Sequence, residues 1–142
     1  MADFQLRARV TWAPRSDIGQ FISTRITPAV RQATRDACDA LVEEAKTLCP
    51  VDTGALRDSI KADVADGDRT VVGTVSANTS YASYVEYGTG IRGASSVGAG
   101  PYPYSPNWPG MPAQPFMRPA ADTSRDMIKE RYKSALTVAM QK

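Results

Sequence analysis

TPAVRQATRDACDALVEEAKTLCPVDTGALRDSIKADVADGDRTVVGTVSA, residues 27–77, carries two hydrophobic periods one after the other. In its first part Val30, Ala33, Ala37, Leu41, Ala45 and Leu48 recur at intervals of three and four, the spacing of one face of an α-helix. Thr27-Pro28 reads as the start, a capping hydroxyl followed by proline at the first helical position, and Pro50 as the stop. In its last part the period falls to two. Ser59 to Ala65 alternates around Ile60, Ala62 and Val64, Asp66-Gly67 reads as a hairpin turn, and Val71 to Ala77 returns with Val71, Gly73 and Val75 on one side. An amphipathic helix followed by a one-sided hairpin presents two apolar faces that can bury each other, an α+β arrangement.

Upstream, Phe4, Leu6, Ala8, Val10 and Trp12 alternate with Gln5, Arg7, Arg9 and Thr11, which predicts a half-buried strand ended by Pro14. Residues 15–26 are ambiguous; Ile18, Phe21, Ile22 and Ile26 suit a short helix. Downstream, Tyr81, Tyr84 and Val85, closed by Gly88, predict one or two helical turns. Pro119 opens a final helix through Ile128, Tyr132, Ala135, Leu136 and Ala139, and one more short strand is expected around Phe116. The expected fold is therefore a single α+β domain over residues 1–142. A small antiparallel sheet, made of the hairpin and the first strand, packs on one long helix, with a C-terminal helix and a long Gly/Pro-rich arm over 88–118.

The arm is unusual in its chemistry. Residues 88–115 hold six of the ten glycines and six of the ten prolines, and no charge occurs from Gly93 to Met117. Yet Tyr102, Tyr104, Trp108 and Phe116 lie along it. Flexible linkers are normally polar and poor in aromatics, and structureless loops beyond about 12–15 residues are usually functional or disordered. Two readings follow for the aromatics. They cap their own core, or they insert into a neighbouring subunit or partner as interface anchors.

Composition narrows the function. No apolar run is long enough to span a bilayer, and the N-terminus does not resemble a signal peptide, so the expected compartment is a cytoplasm. The formal charge of +2 is too small to argue for nucleic-acid binding, but it is unevenly spread. Residues 1–35 carry six arginines against two aspartates, residues 36–68 three basic against nine acidic groups, and the remainder eight basic against four acidic. Segregated signs suit head-to-tail docking of copies and equally describe a patchy solvated surface. Arg7, Arg9 and their neighbours are candidates for contact with phosphates or for interface ion pairs. With no histidine, the commonest metal ligand and general base is missing; no zinc-spaced cluster or phosphate loop is present either. Cys38 and Cys49, eleven positions apart on one helix, are about 16 Å apart at 1.5 Å per residue, too far to form a disulfide.

Asp52-Thr53-Gly54 is the triplet of aspartic proteases, in which two apposed aspartates form an acid–base dyad. There it follows an apolar strand and leads into another apolar segment. Here a helix and Pro50 precede it and Leu56-Arg57-Asp58-Ser59 follows. A corner between helix and hairpin is the better account, with Asp52 and Thr53 accepting backbone hydrogen bonds and Gly54 taking positive φ.

Three segments together carry a resemblance. Val51-Asp52-Thr53-Gly54-Ala55-Leu56-Arg57-Asp58-Ser59-Ile60 follows the Ala-rich helix. Tyr81-Ala82-Ser83-Tyr84-Val85-Glu86-Tyr87-Gly88-Thr89 follows the hairpin, and Pro115-Phe116-Met117-Arg118-Pro119-Ala120 precedes the last helix. In this order and spacing, over about residues 27–140, the chain resembles the neck and tail-completion proteins of long-tailed phages, typified by the tail component of phage Hong Kong 97. The resemblance singles out Asp52, Thr53, Gly54, Tyr84, Glu86, Gly88, Pro115 and Arg118 as structural motif residues. It implies a virion protein at the head–tail interface, made in the host cytoplasm, acting as a ring of identical subunits, commonly six. The implied partners are other connector and tail proteins, with no catalysis, no cofactor and no membrane. A tail terminator capping the tube is the alternative in the same class. A DNA-binding accessory protein and an aspartic protease are the alternatives outside it; within the ring reading, Arg7 and Arg9 are candidates to face the lumen and contact passing DNA.

Overall fold

The computed structural model describes residues 2–9, 16–67, 70–89 and 109–141. The elements are strand β1 (Ala2–Arg9), helix α1 (Ser16–Phe21), a π-helical turn (Ile22–Ile26), helix α2 (Thr27–Leu48), helix α3 (Ala55–Asp58), strands β2 (Ile60–Gly67) and β3 (Thr70–Ala77), and helices α4 (Ala82–Tyr87) and α5 (Met117–Gln141). The three strands form one antiparallel sheet in the order β1-β3-β2. The expected α+β class and the membership of the sheet hold. The predicted strand positions Val10 and Trp12, and the arm residues Tyr102, Tyr104 and Trp108, lie outside the described residues.

Register explains the one-sided sheet. Leu6 pairs with Gly73 and Ala8 with Val71 on one edge of β3, while Val64 pairs with Gly73 and Ala62 with Val75 on the other. Val71, Val75 and Ala77 are buried beneath α2, as the period of two requires. β2 is covered only in part: Ile60 is buried and Val64 half-buried, but Ala62 is exposed. Asp66-Gly67 does not form the predicted turn. Both are still strand, paired with Val71 and Thr70, and the connection runs through residues 68–69, outside the described residues.

Gly73 sets the distance between helix and sheet. A methyl group there would collide with Cys38 Sγ and would come within 2.8 Å of Thr34 Cγ2. Only glycine lets α2 approach so closely. The buried face of α2 is wider than the predicted stripe. Thr34, Cys38 and Val42 join Val30, Ala33, Ala37, Leu41 and Ala45, whereas Leu48, expected inside, is exposed at the last turn.

Thr27 does not start a helix. α1, the π turn and α2 are continuous, and Ile26, at the formal cap position, is itself helical. Proline inside a helix removes one ladder donor and crowds the carbonyl four residues back. The wide turn immediately before Pro28, in which the Thr27 N–H donates to the Ile22 carbonyl, accommodates the ring. Ser23 and Thr24 hydroxyls donate to the Gln20 carbonyl at 3.0 and 2.7 Å in the same stretch.

α5 packs antiparallel along α2 and touches β1. Ala120 meets the Leu41 and Ala45 end of α2, and the Tyr132 hydroxyl lies 2.7 Å from Thr34 Oγ1 nearer its start. The region around Phe116 is a bend and not a strand, and α5 begins at Met117, ahead of Pro119. Both cysteines are free and buried, as their spacing predicts. Among the described residues no helix is long and apolar enough to cross a membrane.

Candidate functional site

Two of the three motif segments, far apart in sequence, meet at the start of α5. The Glu86 side chain, 1% exposed, projects from α4 into the interior. Its Oε2 accepts the N–H groups of Phe116 at 2.8 Å and Met117 at 3.0 Å, and its Oε1 accepts that of Arg118 at 3.1 Å. The first backbone donors of a helix have no partners within it. Here Glu86 takes three of them, and the next residue, Pro119, has no N–H to satisfy. One carboxylate and one proline thus complete the helix start, and the negative charge sits at the positive end of the helix dipole. The Arg118 guanidinium, half exposed, closes the arrangement: Nε lies 3.2 Å from Glu86 Oε1 and the group stacks 5.1 Å from the centre of the Tyr87 ring.

Gly88 follows α4 with φ of +72°, a conformation that excludes ordinary side chains, and turns the chain outward. Thr89 and Met111 then exchange a pair of backbone hydrogen bonds, 2.8 and 3.0 Å, and the Met111 N–H also reaches Thr89 Oγ1 at 2.9 Å. Gln114 N–H donates to the Val85 carbonyl at 2.8 Å. This hydrogen-bonded pair forms a neck on either side of residues 90–108, which lie outside the described residues. Pro115 lies between this neck and the bend, and Tyr84 is half-buried on α4.

The Asp-Thr-Gly segment forms a corner in which Gly54 and Thr53 play the expected parts, while Asp52, expected to accept a backbone hydrogen bond, makes none among the described residues. Gly54 has φ of +86° and its carbonyl accepts Asp58 N–H at 2.9 Å, while Thr53 Oγ1 accepts Ala55 N–H at 3.4 Å. Asp52 is exposed on a bend outside any strand, unlike a protease aspartate at the end of one. A cleft of about 390 Å³ separates this corner from the neck, lined by Val51, Thr53, Tyr81, Val85, Met111 and Gln114 among others. Val51 and Tyr81 are exposed apolar groups at its mouth. Cys49 lies buried beside it; burial raises its thiol pKa and the Arg57 charge opposes that rise.

Of the four aromatics assigned to the arm, Phe116 is fully buried in the chain's own core, against Ala82 and Met117 in the cluster under α2. It anchors the fold and not a neighbour, because the bend at the neck's inner end turns it inward. Arg7 and Arg9 are exposed on β1, on the sheet face turned away from α2, and Arg7 donates to Gln5 Oε1 at 3.0 Å. The sequence motif names Glu86 without its partners, which lie thirty positions on. The Thr34–Tyr132 contact and the role of Gly73 have no local signal at all. Among the described residues no group of three or more His, Cys, Asp or Glu could hold a metal ion.

No curated protein and no solved structure matches significantly. Residues 15–88, from the start of α1 to the glycine that ends α4, match the HK97-gp10-like family model, described as "Bacteriophage HK97-gp10, putative tail-component". The match spans the long helix, the Asp-Thr-Gly corner, the hairpin and the Glu86 helix, and stops before the neck. On that match, over more than half of its length, the chain belongs to the HK97-gp10-like family of phage tail components.

Proposed function

We propose that the protein is a structural ring component at the head–tail interface of a long-tailed phage, joining the tail to the head connector. Membership of a tail-component family supports a structural role in the virion. The observation that supports the finer reading is the Thr89–Met111 backbone pair, which brackets a stretch uncharged from Gly93 onward and bearing Tyr102, Tyr104 and Trp108. A wedge of sheet and two helices is suited to repeated head-to-tail contacts around an axis, and six copies is the expected ring. Opposite net charges on successive parts of the chain support the same packing. In such a ring the exposed Arg7 and Arg9 would face neighbours or passing DNA. Catalysis has no part in this reading: Asp52 is placed as a corner residue, and no cofactor is called for.

The test is negative-stain imaging of lysates from a phage or prophage lacking this gene. Filled heads beside separate tails of normal length are expected. Overlong tails would instead make the protein a tail terminator, and intact infectious particles would overturn both structural readings.

A further inference from the structure

Among the described residues, eight large apolar side chains stay exposed, and all of them fall at the two ends of the α2–α5 pair. Ile18 and Phe21 stand on α1, ahead of α2, and Val138 and Met140 on the last turns of α5. Val138 lines one groove together with Arg25 and Ala29, so these four share an end. Leu48 and Val51 lie where α2 stops, and Tyr81 and Tyr87 flank α4. Val51 and Tyr81 line one cleft, and the Tyr87 ring lies under Arg118 at the start of α5, which puts this second four at the opposite end. Single exposed apolar groups are ordinary, but two clusters at opposite poles mark contact surfaces. From Ile18 to Leu48 is about 45 Å at 1.5 Å per residue, so one copy cannot cover either cluster with the other.

Unspent charge divides along the same axis. At the α1 end, Arg25 and Arg131 have no carboxylate partner among the described residues, and Arg131 Nε donates only to Met127 Sδ at 2.8 Å. The two carboxylates beside them are engaged: Asp36 accepts from Gln32 at 2.9 Å and Glu130 pairs with Lys133 at 3.8 Å. At the other end the signs reverse. Glu43, Asp58 and Glu86 are paired with Lys46, Arg57 and Arg118, but Glu44 near the end of α2 and the exposed Asp52 have no cationic partner among the described residues. Two like ends brought together would bury apolar surface but set like charges face to face. Unlike ends gain both burial and opposite charge. Unlike patches that complement each other on one chain join copies head to tail, and a closing rotation makes them a ring. We infer that the α1 end of one copy, with Phe21, Arg25, Arg131 and Met140, docks on the Glu44, Val51, Asp52 and Tyr81 end of the next copy of this chain. This names the contact that closes the proposed ring, and it rests on that reading.

A photoreactive phenylalanine analogue in place of Met140, introduced in phage-producing cells, tests the inference, and the same analogue in place of Tyr81 is the reciprocal probe. Irradiation is expected to yield a crosslinked dimer of the chain from either position. The first should map to residues 44–52 or 81–87, the second to residues 18–25 or 131–140. Arg25→Glu with Arg131→Glu should lower the yield at least about tenfold, and Glu44→Lys with Asp52→Lys should do the same. All four changes together restore opposite signs and should return most of the yield. Thermal melting of the purified variants, unchanged, shows that they fold, and the two wild-type probes need no charge variant. Crosslinks confined to one chain, to another phage protein or to other surfaces of this one would overturn the inference. So would no crosslink at all, or a fourfold variant no better than either pair. Head–tail joining is imaged separately on the strain lacking the gene. Separate heads and tails without the crosslink keep the ring reading and remove this contact; the crosslink with intact infectious particles does the reverse.

Discussion

At the scale of single residues, Glu86 and Gly73 decide the most. Glu86 accepts three backbone donors at the start of α5, two of them buried. Removing a capping acceptor costs about 1 kcal/mol, and each buried donor left without a partner about 1–3 kcal/mol. Glu86→Ala is therefore expected to destabilise the protein by about 3 kcal/mol, or roughly 10 °C in melting temperature. Glu86→Gln keeps one acceptor oxygen but brings an amide that cannot accept, and should recover only part of the loss. A change below about 0.5 kcal/mol in denaturant unfolding would refute the capping role. Arg118→Ala should cost much less, under about 1 kcal/mol, because its half-exposed ion pair is screened by solvent. Gly73→Ala presses a methyl group against Cys38 and Thr34, and overpacking of this kind costs about 1–3 kcal/mol. Adding Cys38→Ala should relieve part of that penalty, so the two changes are non-additive in unfolding measurements. The need for glutamate at position 86 was legible only as a motif letter, and that for glycine at position 73 not at all, because each depends on a residue more than thirty positions away.

At the scale of elements, α2 is the shared wall between the sheet and α5, and its two seams hold protons. Burial pushes the Cys38 thiol up from 9.0 to about 11, with the Asp39 and Asp63 carboxylates adding to the rise. Burial also raises the Tyr132 phenol, against the stabilising Thr34 hydrogen bond, and the nearby Cys38 adds to it. In the unfolded chain both groups lose their protons at ordinary pH values; in the folded chain they keep them longer. The stability from Cys38 is thus fully present below about pH 9 and is lost as pH climbs from there to about 11, and that from Tyr132 is lost as pH rises beyond 10. The Cys38 share amounts to about 2–3 kcal/mol. Denaturant unfolding of wild type and Cys38→Ala at pH 8 and pH 10.5 checks this: the advantage of the wild type should shrink with rising pH. An advantage that stays constant would show that Cys38 ionises no later in the folded chain than in the unfolded one. Periodicity made these elements legible, since burial on α2, β3 and β1 repeats at 3.6 or 2 residues. It misplaced two boundaries for physical reasons. Thr-Pro carries the same signal at a helix start and after a π turn, and only the room around Pro28 distinguishes them. The Asp66-Gly67 turn yielded to the register that sets Val64 opposite Gly73 and Ala62 opposite Val75.

At the scale of the whole molecule, the weak motifs gain meaning from their placement: two meet at the Glu86 junction, and the Asp-Thr-Gly corner faces them across a cleft. Their order along the chain was legible, but this placement needed the folded chain. The Thr89–Met111 pair divides the described core from residues 90–108, which lie outside the described residues. The division makes a strong prediction. Those two residues already exchange both backbone hydrogen bonds, so a two-residue Gly-Gly turn can replace residues 90–110 without moving either. Loop closure favours a short connection by about 0.6 kcal/mol for each halving of length, so the excised protein should melt no lower than the wild type. It should nevertheless fail to join heads to tails when it replaces the wild-type gene, and Tyr104→Ala with Trp108→Ala should fail in the same way. Phe116→Ala separates the two roles. Its side chain is buried in the body, so it should lower stability by about 3–5 kcal/mol. An arm-excised chain that unfolds would place the arm's aromatics in the body's own core; one that folds and still assembles infectious particles would remove the arm from assembly altogether.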